Sequence, residues 1–482
     1  MPSFLAPRTV VALAAAALTA AGSRHLAAQS ATASTAYQAA HQRLAYEVYK
    51  ELIEMNTADS VGSTTAAAEA VAKRFLAAGF AASDVQVLTP RADKGNVVVR
   101  YRGRGARKPL LLLAHLDVVQ ALRSDWSPEL DPFKLTERDG WFYGRGTADD
   151  KAMAAIFVAN LLRLKQERYV PDRDIILALT ADEEGGPVNG VRYLLRDHRD
   201  LIDAAYAINE GGGGALKDGK PFYHSVQATE KVSANFRLTA ANKGGHSSVP
   251  RPDNAIYELA EALTRVARYQ FPVELNDVTR AFFERTATVE APDVAAAMRA
   301  IVRNPADSGA AALISAQPRF NSMLRTTCVA TRLAGGHANN ALPQTATANV
   351  NCRIVPNKPP EEVRQALVRA IGDTGIEISR APALDPSAPS PLLPELMTPV
   401  ERLTREMFGN IPVIPTMSTG ATDGRALRSA GIPTYGVSGL FGDPNDARAH
   451  GRDERMLVKS FFDGQAFLYR LVKELTSTKP VS

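Results

Sequence analysis

Residues 96–186 carry the run that decides the fold: NVVVRY (96–101), PLLLLAHL (109–116), AMAAIFVANLLRLKQE (152–167) and RDIILALTA (173–181). Short apolar strands alternate there with an amphipathic helix, and strand–helix alternation predicts an α/β fold with a mostly parallel sheet and helices on both faces. The pattern extends outward in both directions. Helical segments AYQAAHQRLAYEVYKELIEM (36–55) and TTAAAEAVAKRFLAAG (64–79) precede it, and the strand AAYAINE (204–210) follows. Acidic residues and a histidine cluster just past the carboxyl ends of these strands, where open α/β sheets place their sites.

Near Val232 the pattern changes. A strand (232–240), a helix (253–269), two strands around GGHANNALPQ (335–344), a helix (359–372) and a strand (376–381) form a βαββαβ unit able to fold by itself. After the proline-rich DPSAPSPLLP (385–394) the first pattern resumes with a helix and the strands IPVIP and PTYGVSG. The expected organisation is a discontinuous first domain, 36–230 and 388–482, with an inserted domain at 231–387. The stretch from about Gln270 to Phe320, partly helical, has no role legible in its residues. No repeat of fixed period is present.

A chain of 482 residues, 45% hydrophobic and 22% charged, is long enough for two such cores and is not a disordered protein. Residues 1–30 have the charge, apolar core and small-residue order of a secretory signal peptide, with Gly22, Ala28 and Ser30 as equal choices for the residue before the cut. Its loss would remove Arg8 and Arg24 and lower the formal charge from +5 to +3, too mild a surplus to argue for nucleic acid. No later run of about 18 apolar residues argues for stable membrane insertion, so a secreted or periplasmic product is expected. Cys328 and Cys352 lie in strands flanking the 335–344 loop. A cross-strand disulfide and two buried thiols are both open, with the thiols slightly favoured.

The chemistry rests on five segments: LLLLAHLDVV (110–119), GRGTADDK (144–151), LTADEEGG (179–186), INEGG (208–212) and RAHGRDE (448–454). Taken singly, each has an ordinary reading: an incidental His-x-Asp, an acidic pair capping a helix, a solvated acidic turn, a loop histidine. Together they offer His115, Asp149, Glu184, Glu210 and His450, enough nitrogen and oxygen ligands for two zinc ions sharing one carboxylate. His115 and Asp117 are two apart on an extended chain and share a face, so Asp117 can accept the second ring N–H of His115. Glu183 points away from its neighbour Glu184 and can lean over a metal-activated water as general base, later passing the proton to the leaving amine. No G-x-S-x-G elbow supports a serine hydrolase.

In order and spacing, these segments resemble, over nearly the whole chain after residue 30, the di-zinc metallopeptidase family of glutamate carboxypeptidase G, aminoacylase, succinyl-diaminopimelate desuccinylase, carnosinase and Gly-X carboxypeptidase. The resemblance implies that His115 and Glu210 bind one zinc, Glu184 and His450 the other, and that Asp149 bridges them. It implies Glu183 as general base, Asp117 as the partner of His115, and a cis peptide bond between Asp149 and Asp150. The fit is loosest at Glu210, where the following glycine run is long. KGGHSSVPRPDNAI (243–256) resembles the segment whose histidine, here His246, stabilises the oxyanion, in dimeric relatives across to the partner's site. Arg353, Asn340 and Arg425 match positions that hold the substrate's carboxylate or backbone. The inserted unit is then a lid and dimerisation domain, and a homodimer is left open.

The expected function is zinc-dependent hydrolysis of an amide bond in a small substrate with a free carboxylate, by metal-held hydroxide with Glu183 as base. The 144–151 and 181–186 blocks look most like the Gly-X carboxypeptidase branch, favouring a dipeptidase or carboxypeptidase acting on short peptides. An N-acyl-amino-acid deacylase is the alternative, and a metal-free binding protein a distant third. Cobalt or manganese in place of zinc stays open.

Overall fold

The computed structural model describes residues 39–59, 61–380 and 387–477, so the expected signal peptide at 1–30 lies outside the described residues. A ten-stranded sheet organises the larger part of the chain. Its centre is Arg107–His115, parallel to Arg173–Thr180 on one side and to Tyr206–Asn209 on the other. Thr434–Gly436 continues the parallel run beside Tyr206–Asn209, and Val413–Ser418 lies parallel to Lys220–Glu230. Asn96–Tyr101 instead pairs antiparallel with Arg173–Thr180, so the sheet is mainly but not wholly parallel.

The apolar run 110–114 is continuous because each face of the sheet has its own core. Leu110, Leu112 and Ala114 join one cluster with Ile175, Leu177 and Leu179, while Leu111 and Leu113 join another with Ile176 and Ala178. Alternate side chains of a strand point to opposite faces, so both sets need apolar residues once helices cover both sides. Lys151–Gln166 was expected to be amphipathic, yet nearly every residue is buried, because Ala40–Ile53 and Val458–Leu475 pack over it. Its first residue, Lys151, is satisfied there by the carbonyls of Leu52 (2.8 Å) and Met55 (2.9 Å). Burial brings that ammonium down to about 7.

A second, antiparallel sheet runs in the order Thr327–Gly335, Thr345–Ile354, Val232–Ala241, Ile376–Arg380. It buries its own cluster, centred on Phe236, Leu238, Val350 and Ile354, beneath Ala255–Arg268 and Pro360–Ile371. Cys328 and Cys352 stand opposite one another in this sheet with Cα atoms 4.0 Å apart and are disulfide-bonded, which corrects the preference for free thiols. Register was the missing information: a hairpin pattern places two strands together but does not say which residues face each other. The stretch unread in the sequence forms helices Asp277–Thr286, Pro292–Arg303, Ser308–Ser315 and Pro318–Leu324. Their apolar faces meet Ile414 and Met417 of the large sheet, so this part of 231–387 packs away from the small sheet.

A three-stranded sheet, Arg455–Leu457, Trp141–Tyr143 and Thr136–Arg138, matters most for the site. It sets the 144–150 loop beside the 450–454 loop, with Phe142 opposite Met456. Among the described residues, no helix is long and apolar enough to cross a membrane.

Candidate metal centre

His115 ends the central strand with its side chain 2% exposed. Its Nδ1 lies 3.0 Å from the main-chain carbonyl of Asp117, which can only accept, so Nδ1 carries the proton and Nε2 faces the cluster. Asp117 therefore holds the ring through its carbonyl; its carboxylate, the expected partner, comes only to 3.7 Å. That carboxylate instead accepts from the amides of Glu183 (3.2 Å) and Glu184 (3.0 Å), fastening the acidic turn to the end of the central strand.

Asp149 divides its two oxygens. Oδ1 is 3.0 Å from His115 Nε2 and Oδ2 is 3.1 Å from His450 Nε2. On the first side Glu210 Oε1 comes to 3.9 Å from His115 Nε2, and on the second Glu184 Oε1 lies 2.8 Å from His450 Nε2. Potential ligand atoms of His115, Asp149 and Glu184 lie within 4.8 Å of one another, as do those of His115, Glu183 and Glu210. The five expected ligands and Glu183 thus converge: the two groups have His115 in common, and Asp149 lies between His115 and His450. The Asp149–Asp150 peptide bond is cis.

The charge of this cluster is what a cation would answer. Glu183 is pushed up to about 9, first by burial, then by Asp423, Glu184 and Asp117, with His115 opposing. Burial also raises Glu210 and Asp150 well above the usual carboxylate range. His450 rises to about 9, chiefly through its hydrogen bond to Asp149. No lysine or arginine forms an ion pair with Asp117, Asp149, Glu183, Glu184 or Glu210 among the described residues. Asp150 does not cap the helix it precedes, and its buried Oδ2 has no hydrogen-bond partner. Crowded carboxylates, two imidazoles and no organic cation make a donor set that fits a pair of divalent ions, which would return the carboxyls to their ionised form.

Three features escaped the sequence. Arg145 and Glu454 form an ion pair at 2.6 Å, with side chains 3% and 1% exposed. Glu454 also accepts from the amides of Gly146, Ala148 and Asp149, while Arg145 donates to the carbonyls of His450 (3.3 Å) and Gly451 (3.1 Å). The pair therefore locks the Asp149 loop to the His450 loop. Asp423, held by Asn189 (2.6 Å) and Thr180 (3.3 Å), stands close enough to raise Glu183 and is itself raised to about 6 by burial. Lys94, 1% exposed, pairs with Asp182 at 2.6 Å and steadies the residue ahead of Glu183.

The other expected residues lie elsewhere. His246 is exposed on the small-sheet unit, its Nδ1 2.7 Å from Ser248 Oγ, with no contact to the cluster among the described residues. It pairs with Ala341, and the Asn340 carbonyl accepts from the Ser247 amide, so His246 and Asn340 are neighbours. Arg353 sits between Ser233 and Thr327 and contributes to lowering the buried Lys231 to about 7, after burial itself. Arg425 is 7% exposed, with Nε 3.8 Å from Glu230, which Arg428 also meets at 2.8 Å. It is placed inside the fold, two residues beyond Asp423, and not on an open wall.

The profile of peptidase family M20/M25/M40 matches residues 111–474, and the chain belongs to that family. It is a hydrolase of the metallopeptidase, carboxypeptidase-like kind. The chain is 28% identical over 386 residues to the human N-fatty-acyl-amino acid synthase/hydrolase PM20D1, covering 78% of this chain and 76% of that one. It is 28% identical to a probable carboxypeptidase S-like 2 of Dictyostelium discoideum, covering 76% and 71%. Its fold is similar to that of the metallo-carboxypeptidase Sso-CP2 of Sulfolobus solfataricus, with a TM-score of 0.67, 20% identity, and coverage of 90% and 99%.

Proposed function

We propose that this protein hydrolyses an amide bond in a small substrate bearing a free carboxylate, using two zinc ions held by His115 and Glu210, by Glu184 and His450, and by Asp149 between them. The division of Asp149's two oxygens between His115 and His450 carries the reading. Bound there, the cations would supply Lewis acidity toward a water and the scissile carbonyl. Glu183 takes the proton of the attacking water and delivers it to the departing amine. Asp117 keeps His115 in the tautomer that presents Nε2, and it sets the position of Glu183 through that residue's amide.

His246 stabilises the oxyanion and Asn340 and Arg353 receive the carboxylate-bearing half, all three from the small-sheet unit at 231–387; the remainder, 36–230 and 388–482, is the catalytic unit. Arg425 is the weakest of these assignments, since its guanidinium lies near Glu230. With no contact from His246 to its own cluster among the described residues, we assign the protein as a homodimer in which that histidine serves the partner's site. The edge strand Thr327–Gly335, with Val329 and Leu333 61% and 71% exposed, offers the surface. The disulfide and the order of residues 1–30 support a secreted or periplasmic chain.

Short peptides, cleaved in dipeptidase or carboxypeptidase fashion, are the first substrate reading, supported by the likeness to a probable carboxypeptidase. N-acyl amino acids are the second, supported by the name of the human relative. A panel of dipeptides, tripeptides and N-acyl amino acids, with and without chelator, tests both. Chelator-sensitive release is expected, and absence of turnover across the panel by metal-loaded protein would overturn the reading.

A further inference from the structure

The segment that carries Glu183, LTADEEGGPVNG (179–190), leaves its strand through Asp182, whose φ of 57° lies in the left-handed region. A residue other than glycine stays there only where its surroundings over-determine it. Downstream the chain gives little hold, since Gly185, Gly186 and Pro187 are exposed. The hold comes from the two sides of one peptide unit. The N–H of Glu183 donates to Asp117 Oδ1 (3.2 Å), and the carbonyl of the same peptide, on Asp182, accepts from Asn189 Nδ2 (3.1 Å). Asn189 is itself placed by partners of fixed character. Its Oδ1 accepts from the Arg192 amide (3.0 Å), capping helix Gly190–Asp197, and its Nδ2 also donates to Asp423 Oδ1 (2.6 Å). An amide N–H can only donate, and a carbonyl or carboxylate oxygen can only accept, so the side-chain amide has one orientation. Asp423, 6% exposed, is fixed in turn by Thr180 at the end of the strand.

We infer that Asn189, oriented by Asp423, is a positioning residue for the general base: it holds the Asp182–Glu183 peptide against Asp117 and so sets the direction in which the Glu183 side chain leaves the main chain. The inference rests on the amide-hydrolysis reading above, in which Glu183 moves the proton, and adds to that step a residue that is neither a metal ligand nor the base. Capping the helix does not account for Asn189 by itself. A cap needs only the side-chain oxygen, which Ser or Asp supplies equally well, whereas the nitrogen is spent on Asp182 and Asp423. The contribution to rate is one of aim, because a displacement of about 1 Å in a reacting group can cost about a hundredfold.

The test is a double-mutant cycle on metal-loaded protein, with Asn189→Ser and Glu183→Gln singly and together, assayed on the fastest substrate of the panel above. Asn189→Ser keeps a capping oxygen and removes the amide nitrogen. It is expected to hold metal content and KM within about twofold of wild type while kcat falls by about tenfold or more. Hydrogen exchange over residues 181–185, read by mass spectrometry, should quicken by about tenfold or more as the peptide loses one of its two anchors. In the Glu183→Gln background the same substitution should change the residual rate by less than about twofold, because a residue that acts through the base then has nothing to act on. Asn189→Asp, with the same shape and cap and no nitrogen, takes the place of Asn189→Ser if that variant does not fold, and the same outcomes are expected of it. Unchanged kcat, unchanged exchange, or an equal loss in both backgrounds would overturn the positioning role and leave amide hydrolysis standing. No turnover of any amide by metal-loaded wild type would overturn both.

Discussion

Glu183 and the cluster around it concentrate the chemistry in a few side chains. Glu183→Gln preserves shape and removes the base, so hydrolysis is expected to fall by about a thousandfold with metal content unchanged; a loss under tenfold would take the proton-transfer role away from it. The meeting of His115, Glu184 and Glu210 was legible because each stands at or just past the end of an apolar strand of the large sheet, and strand ends in such sheets converge, whereas Asp149 and His450 arrive on loops. Glu454 and Arg145 sat in quoted segments, yet their pairing spans 309 positions and no local pattern announces it. Asp423 was missed for the same reason, its partners Asn189 and Thr180 being 234 and 243 positions away. Asp117 shows a subtler limit: spacing placed it beside His115, but whether carbonyl or carboxylate meets the ring depends on backbone geometry that spacing does not contain.

Elements matter where they hold those residues still. The Arg145–Glu454 pair binds two loops to one another, and Arg145→Met would leave a buried carboxylate uncompensated, costing about 3–5 kcal/mol. Denaturant unfolding should show that loss, and competition with a chelator should show metal affinity about 10–100-fold weaker, as expected when groups supporting the ligands are removed. Unchanged affinity would confine the pair to stability. Strand Lys220–Glu230 carries His224, which is wholly buried, bonded to Thr404 Oγ1 at 2.8 Å, and lowered to about 4 by burial. A base depressed in the fold contributes stability that is complete above its unfolded value near 6.5 and is lost as pH falls toward 4. Unfolding free energy should therefore drop by about 3 kcal/mol across that window, and His224→Gln should flatten the slope. An equal slope in the variant would assign the acid sensitivity to other groups.

At the scale of the molecule, alternating strands and helices told of the large sheet, and the break near Val232 told of the small one, since both follow from local periodicity. Packing between distant segments was not legible: helices 277–324 lie within the stretch read as an insertion yet join the core of Ile414 and Met417, a contact that forms only once the chain has returned to the large sheet. The largely buried helix at 151–166 was misjudged for a like reason: only Arg163, Lys165 and Gln166 at its end escape burial, and one of the helices covering the rest arrives three hundred residues later. Assembly is the remaining prediction at this scale. Sedimentation should give a dimer, and Leu333→Lys on the exposed edge strand should give a folded monomer; a monomeric wild type at micromolar concentration would remove the shared-site role of His246. The proposed role of Asp149 in joining two metal sites is tested most directly by metal bound per chain during stepwise zinc addition to stripped protein, followed together with amide hydrolysis. Two equivalents are expected in the wild type, with activity lost on stripping and restored only as both sites fill, and both lost together in Asp149→Ala. Full hydrolysis by stripped protein, or saturation at two equivalents with Asp149 replaced, would contradict it.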